Sequence, residues 1–285
     1  MIKIKVYAKL NLSLNVLTCE QNGFHQLDMV NQSVSLFDEI RIVPRPDKKI
    51  SVYCDKNIGV INTALTSANE FSKAFDTCGY DITIKKGIPM KGGLGGSSAD
   101  AAGILSALAK YHNILLEQVY PIADRIGSDV KYMMTGGLAR VEGRGEIVKT
   151  IDSNSLFYFV VVMPPYGLST RKVFEEFDKK PDFHFADNAK LIDCIVTEDV
   201  SGAKNNMYNG LQKTAFVIEP RLKEAYDEIS QVCFVQMTGS GSCLFSIADT
   251  IEEAQFVAEK LKRKGYVAVV AESRKNGVEY IDFIV

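Results

Sequence analysis

The 285-residue chain has no tryptophan and only three histidines. Its six cysteines, Cys19, Cys54, Cys78, Cys194, Cys233 and Cys243, never fall at a CxxC spacing. Such scattered thiols and so few imidazoles argue against a Cys/His zinc centre and for reduced thiols; no metal-ligating set is expected. No run approaches the ~20 apolar residues of a membrane span. The N-terminal MIKIKVYAKLNLSLNV alternates like a strand and has no apolar signal core, so a cytoplasmic protein is expected. The formal net charge is −2, and the basic pairs are short, so neither nucleic acid nor an anionic membrane is an expected partner. Low-complexity segments and clear internal repeats are also missing.

What is present is a glycine cluster. PMKGGLGGSSADAA, from Pro89 to Ala102, follows a strand-like stretch (Tyr80 to Lys85) and opens a helix-like run. Strand, glycine loop and helix start together make a phosphate cradle. Glycine lets backbone approach a ligand closely, and the first helical N–H groups are unpartnered and carry partial positive charge. The segment is neither common phosphate loop: no Lys-Ser or Lys-Thr step closes it, and the glycine spacing is not GxGxxG. A flexible turn capped by Ser97 or Ser98 is the competing reading.

Hydrophobic periodicity sketches the remainder. Ile2 to Tyr7, then Leu10 to Val16, read as half-buried strands, followed by Met29 to Ser35 and Glu39 to Val43 with Asp38 at a turn. Asn62 is an expected N-cap for a helix to Phe75. Helices are expected over 99–112 and 116–126, a strand or hairpin over 132–141, and a strong strand over 157–163. Helices follow over 169–177, 188–196, 210–217 and 220–230. Two strands flank the glycine turn at 238–242, and a helix over 251–262 precedes two closing strands. Mixing without a βαβ repeat favours α+β.

Three separated segments, AKLNLSLNV, PMKGGLGGSSADAA and MTGSGSCLF, occur in the order found in the GHMP small-molecule kinases, which the chain resembles. Within that superfamily, NGFHQLDMV, GSDV and GGLARVEGRGE resemble the 4-diphosphocytidyl-2-C-methyl-erythritol kinases of the non-mevalonate isoprenoid pathway. The resemblance implies an N-terminal domain like ribosomal protein S5 domain 2 (1–152) and a ferredoxin-like C-terminal domain (153–285). It implies transfer of phosphate from ATP, with Mg²⁺ held mainly by the nucleotide, to the 2-hydroxyl of a substrate bearing a cytidine diphosphate group. A monomer or weak homodimer is expected.

By the same resemblance, Asp129 of GSDV is the catalytic base and Lys9 of AKLN stabilises charge beside it. From spacing alone Asp129 reads more readily as a turn or capping residue, and Lys9 as an exposed strand lysine. Asn62, Lys86, Gly92, Gly93, Leu94, Gly95, Gly96, Ser97 and Ser98 are implied to hold the nucleotide. Asn11, Phe24, His25, Phe174, Gly239, Ser240 and Gly241 are implied on the substrate side, with Phe24 and His25 gripping cytosine and Phe174 as a second aromatic wall. Two departures stand out: Lys131 where the family has proline, and Lys91 where glycine is common. A GHMP kinase for mevalonate, homoserine or a sugar, and a nucleotide-binding regulator without chemistry, are the alternatives.

Overall fold

A computed structural model describes residues 1–19, 23–59 and 62–284. The first two strands dominate it. Ile2–Cys19 and His25–Arg45 pair antiparallel along almost their whole length, with register slips between Tyr7 and Ala8 and between Asn11 and Ser13. The two short strands expected from each periodic stretch are thus one long strand apiece. Asp38 is no turn residue but lies fully buried inside the second. Gly79–Lys85 pairs on the second half of the second strand, Glu39–Arg45, and Leu138–Gly143 pairs on its first half, Leu27–Gln32.

The alternation of leucines with Asn11, Ser13 and Asn15 predicts one wet face, yet both faces are buried. The leucine side packs into the core. The polar side meets the second half of the chain, where Ser13 Oγ donates to Asn188 Oδ1 at 2.5 Å and Asn15 Nδ2 to the Ala186 carbonyl at 3.0 Å. Buried polar groups need such partners, so this interface is specified by hydrogen bonds as well as by shape.

Helix Thr63–Phe75 begins at Asn62, whose side chain accepts from the Leu65 N–H, a cap contributing about 1 kcal/mol. Helix Gly96–Tyr111 is buried continuously from Ala99 to Ala109, which explains its small side chains: it runs through the core against the first strand and its neighbouring helices. Helix Leu116–Ile126 matches the expected span. The segment expected as a strand over 132–141 is instead helix Val130–Thr135, ended by Gly136 at φ 71°, then strand Leu138–Gly143.

A second sheet has Tyr158–Val162 between Leu244–Ala248 and Ala268–Arg274, all antiparallel, covered by helix Ile251–Arg263. Strand Ala268–Arg274 also pairs with the second strand through Ser273–Val34 and Arg274–Ser33, joining the two sheets. Val278–Phe283 then crosses back to the edge of the first strand. Strand Ile147–Ile151 and helix Val200–Asn206 were not anticipated from the sequence. No described helix is long and apolar enough to cross a membrane.

Candidate active site

The glycine segment and the second glycine turn interlock where the halves meet. The Lys9 N–H donates to the Leu94 carbonyl at 3.0 Å, and the Cys243 N–H donates to the Gly92 carbonyl at 3.1 Å. Gly93, at φ 76°, lies so close to the second turn that a Cβ there would sit 2.1 Å from the Thr238 oxygen. Only glycine fits that approach. Asn209 Nδ2 bonds the carbonyls of Met237 and Gly239 and fixes the second turn from below.

Between these turns opens a cavity of about 540 Å³. The whole glycine loop lines it, with Lys9, Asn62, Lys86, Asp129, Phe174, Gly239 and Ser240. The N-terminus of helix Gly96–Tyr111 is therefore on its wall. Gly95, at φ 73°, is the N-cap; Ser97 and Ser98 lie in the first turn and make no capping bond, contrary to the expected serine cap. The first-turn residues Gly96, Ser97 and Ser98 line the cavity, and a helix start is where unpartnered N–H groups bind anions.

Asp129 occupies the N-cap position of helix Val130–Thr135 but makes no capping hydrogen bond. Its carboxylate turns instead to Lys9, with Nζ 3.5 Å from Oδ2. Lys9 is buried, and its ammonium also donates to Asn11 Oδ1 at 2.5 Å. Asn11 is fully buried and is held in turn by Asn31 through Nδ2 at 2.7 Å and by Thr238 through its backbone N–H. Asn11 thus holds the Lys9 ammonium and is not among the residues lining the cavity. The Lys131 ammonium is engaged elsewhere: it donates to the Glu146 carbonyl at 2.7 Å and lies 5.1 Å from the Tyr120 ring.

Lys86 also departs from expectation. Its ammonium is locked between the buried carboxylates of Asp38 and Asp100, 2.7 Å from the latter. Burial alone would push its pKa down; Asp100 and Asp38 outweigh that and hold it above the ordinary lysine value. Asp38 is further tied by the N–H groups of Gly87 and Ile88, both at 2.7 Å. Burial pushes Asp100 up to about 7, against the pull of Lys86. Lys86 therefore anchors the approach to the glycine loop, and its ammonium is committed to that task.

At the opposite wall, Phe174 lines the cavity with His25 stacked behind it, centroids 4.6 Å apart and planes tilted by 30°. His25 Nε2 is 2.7 Å from Asp178 Oδ1. Phe24 is not among the lining residues: it is half exposed, with the Arg144 guanidinium 5.0 Å from its ring centre. Gly241 also stands back, against Met237 and Leu168. Sequence reasoning missed Thr170, whose hydroxyl is 2.8 Å from that of Ser240 on the lining, and the apolar floor of Leu14, Leu27, Met29 and Leu211. Thr170 opens the helix that carries Phe174, which was the available signal.

Comparison with known proteins places this geometry. Residues 62–140 match the GHMP kinases N terminal domain, and residues 191–267 match the GHMP kinases C terminal family. A 4-diphosphocytidyl-2-C-methyl-D-erythritol kinase of Clostridium botulinum (strain Eklund 17B / Type B) is 35% identical over 278 residues, covering 94% of this chain and 98% of its own. That of Clostridium beijerinckii is 33% identical over 272 residues, covering 92% and 96%. A crystal structure of 4-(cytidine 5'-diphospho)-2C-methyl-D-erythritol kinase superposes with a TM-score of 0.80 at 26% identity, covering 95% of this chain and 99% of that one. A homoserine kinase from Cytophaga hutchinsonii shares the fold, with a TM-score of 0.77 at 16% identity over 98% of this chain and 97% of that one. With long, full-length relatives above 30% identity and both halves matched, the chain belongs to the 4-diphosphocytidyl-2-C-methyl-D-erythritol kinase family of the GHMP kinases.

Proposed function

We propose that the protein transfers the γ-phosphoryl group of ATP to the 2-hydroxyl of 4-diphosphocytidyl-2-C-methyl-D-erythritol. The observation that carries this reading is the Lys9–Asp129 pair. An aspartate that makes no cap bond to its own helix and lies 3.5 Å from a buried ammonium on the cavity wall suits chemistry better than folding.

The roles follow from what phosphoryl transfer needs: positioning, charge neutralisation and a destination for the hydroxyl proton. The glycine loop and first turn of helix Gly96–Tyr111 hold the triphosphate. Asp129 accepts the proton as the acceptor oxygen bonds phosphorus and ADP departs. Lys9, held rigid by Asn11, stabilises the charge that spreads over the transferring oxygens. Ser97 and Ser98 supply hydroxyl oxygens on the cavity wall, which fits Mg²⁺ held mostly by phosphate and water. Bound there, Mg²⁺ neutralises phosphate charge. Phe174 offers an aromatic face for the cytosine, braced by His25, and the apolar floor suits the methylerythritol carbons. We assign Thr170 and Ser240 to the acceptor's polar groups.

The test is ADP release with Mg-ATP and 4-diphosphocytidyl-2-C-methyl-D-erythritol, with homoserine and mevalonate as controls. Turnover only with the cytidine compound supports the reading. Turnover only with a control keeps the kinase and removes the acceptor. Nucleotide binding with no turnover on any of the three would overturn it.

A further inference from the structure

The scattered cysteines and histidines argue against a metal centre in the sequence, but the fold brings one of each together. Cys19 and His25 are cross-strand partners at the end of the first hairpin. Asp178, the C-cap of the helix carrying Phe174, meets them from the other half. One ligand atom from each of the three lies within 4.8 Å of the other two. We propose that Cys19, His25 and Asp178 form a binding site for a zinc-like divalent transition metal, with the fourth position left to water.

The donor set is the first argument. A thiolate, an imidazole and a carboxylate are the three side-chain types that zinc accepts, and a three-residue set leaves an open position. Bond lengths of about 2.0–2.3 Å in a tetrahedron put ligand atoms about 3.3–3.6 Å apart. The present spread brackets that: His25 Nε2 and Asp178 Oδ1 stand at 2.7 Å, and all three groups stay inside 4.8 Å. Closure needs shifts of about an ångström. Rigidity is the second argument. His25 is buried, stacked on Phe174 and edge-on to Phe177, so one ligand is fixed in place. Cys19 and Asp178 are exposed and can close on the ion. Binding releases the thiol proton to solvent and requires a lone pair on the ligating imidazole nitrogen, so affinity rises with pH.

The site also has a consequence for the cavity, which rests on the proposed function. A metal bound to His25 holds the ring behind Phe174 in a fixed pose and places a cation at the cytidine end. Zinc would then act against the acceptor and not against ATP.

Cobalt(II) serves as the probe, titrated into the reduced full-length protein with optical spectra recorded. The expected result is a thiolate-to-cobalt charge-transfer band with intense tetrahedral visible bands, saturating at one ion per chain and displaced by zinc. In Cys19→Ser the charge-transfer band disappears, and affinity falls at least ~10-fold in both Cys19→Ser and Asp178→Asn. No such band at one equivalent, or an unchanged band in Cys19→Ser, overturns the proposal. These spectra do not depend on turnover, so they stand or fall apart from the kinase reading. Where turnover is present, zinc raises the acceptor KM of the wild type and spares that of Cys19→Ser; an equal effect on both would place the inhibition elsewhere.

Discussion

Lys9 and Lys86 both bring an ammonium to the wall of one cavity, and both are buried. Lys86 is enclosed by two carboxylates that sit as deep as it does, one of them braced by two backbone N–H groups. Lys9 has one neutral amide in close contact and one carboxylate 3.5 Å away that is itself partly exposed. The first arrangement uses the charge up; the second leaves it available to a ligand. A buried ion pair is weak evidence for stability as such, but removing one member strands the others at a large cost. Burial alone thus does not mark a working lysine. What its partners leave unmet does.

That contrast can be broken at either residue. Lys86→Met leaves Asp38 and Asp100 facing each other without a cation, and denaturant titration should show a loss of about 3–5 kcal/mol. Lys9→Met keeps the aliphatic stem; it leaves Asn11 Oδ1 short of a donor and Asp129 without its ammonium, but that carboxylate is partly exposed to water. Its kcat should fall ~10²–10³-fold while its thermal midpoint stays near that of the wild type. A Lys9 variant that unfolds as readily as the Lys86 variant would erase the distinction.

Asp100→Asn sharpens it. The variant keeps an acceptor oxygen for Lys86 and removes one of two carboxylates sharing a single ammonium. Because folding raises the Asp100 pKa from 3.8 to about 7, its stabilising contribution is complete below pH 3.8 and is lost as pH rises toward 7. Stability curves should therefore show the variant gaining on the wild type across that window; a gap that stays flat or reverses would contradict the assignment. The smallest effect is expected at Lys91, which holds φ 56° in the glycine loop with its side chain against Gly167. Lys91→Gly removes a left-handed strain of about 1 kcal/mol and should raise the melting midpoint by a few degrees.

Much of this site is legible in the sequence, and the exceptions share a cause. The glycine loop, the Asn62 cap and the helices at 116–126, 188–196 and 220–230 follow from local chemistry, which is why their bounds agree. The misreadings involve long-range partners. Asn11, Ser13 and Asn15 resemble a solvent face because their partners lie on remote segments, at Thr238, Asn188 and Ala186. Asp38 resembles a turn because its lysine is 48 residues away. Tyr132 to Thr135 has a strand's composition but is a short helix whose Tyr132 hydroxyl reaches the Gly137 carbonyl at 2.7 Å. Phe24 and His25 are adjacent in sequence, yet a strand end turns one outward and the other behind Phe174.

The central claim is that Lys9 and Asp129 act as one unit on the transferring group. A double-mutant cycle in kcat tests it most directly, using Lys9→Met, Asp129→Asn and the combination, with ATP affinity measured separately by titration. The account predicts that Asp129→Asn lowers kcat ~10²–10⁴-fold with ATP affinity retained, and that the double variant is within a few-fold of the worse single one, since a broken unit has little further to lose. Losses that multiply in full would show two independent contributions and contradict it.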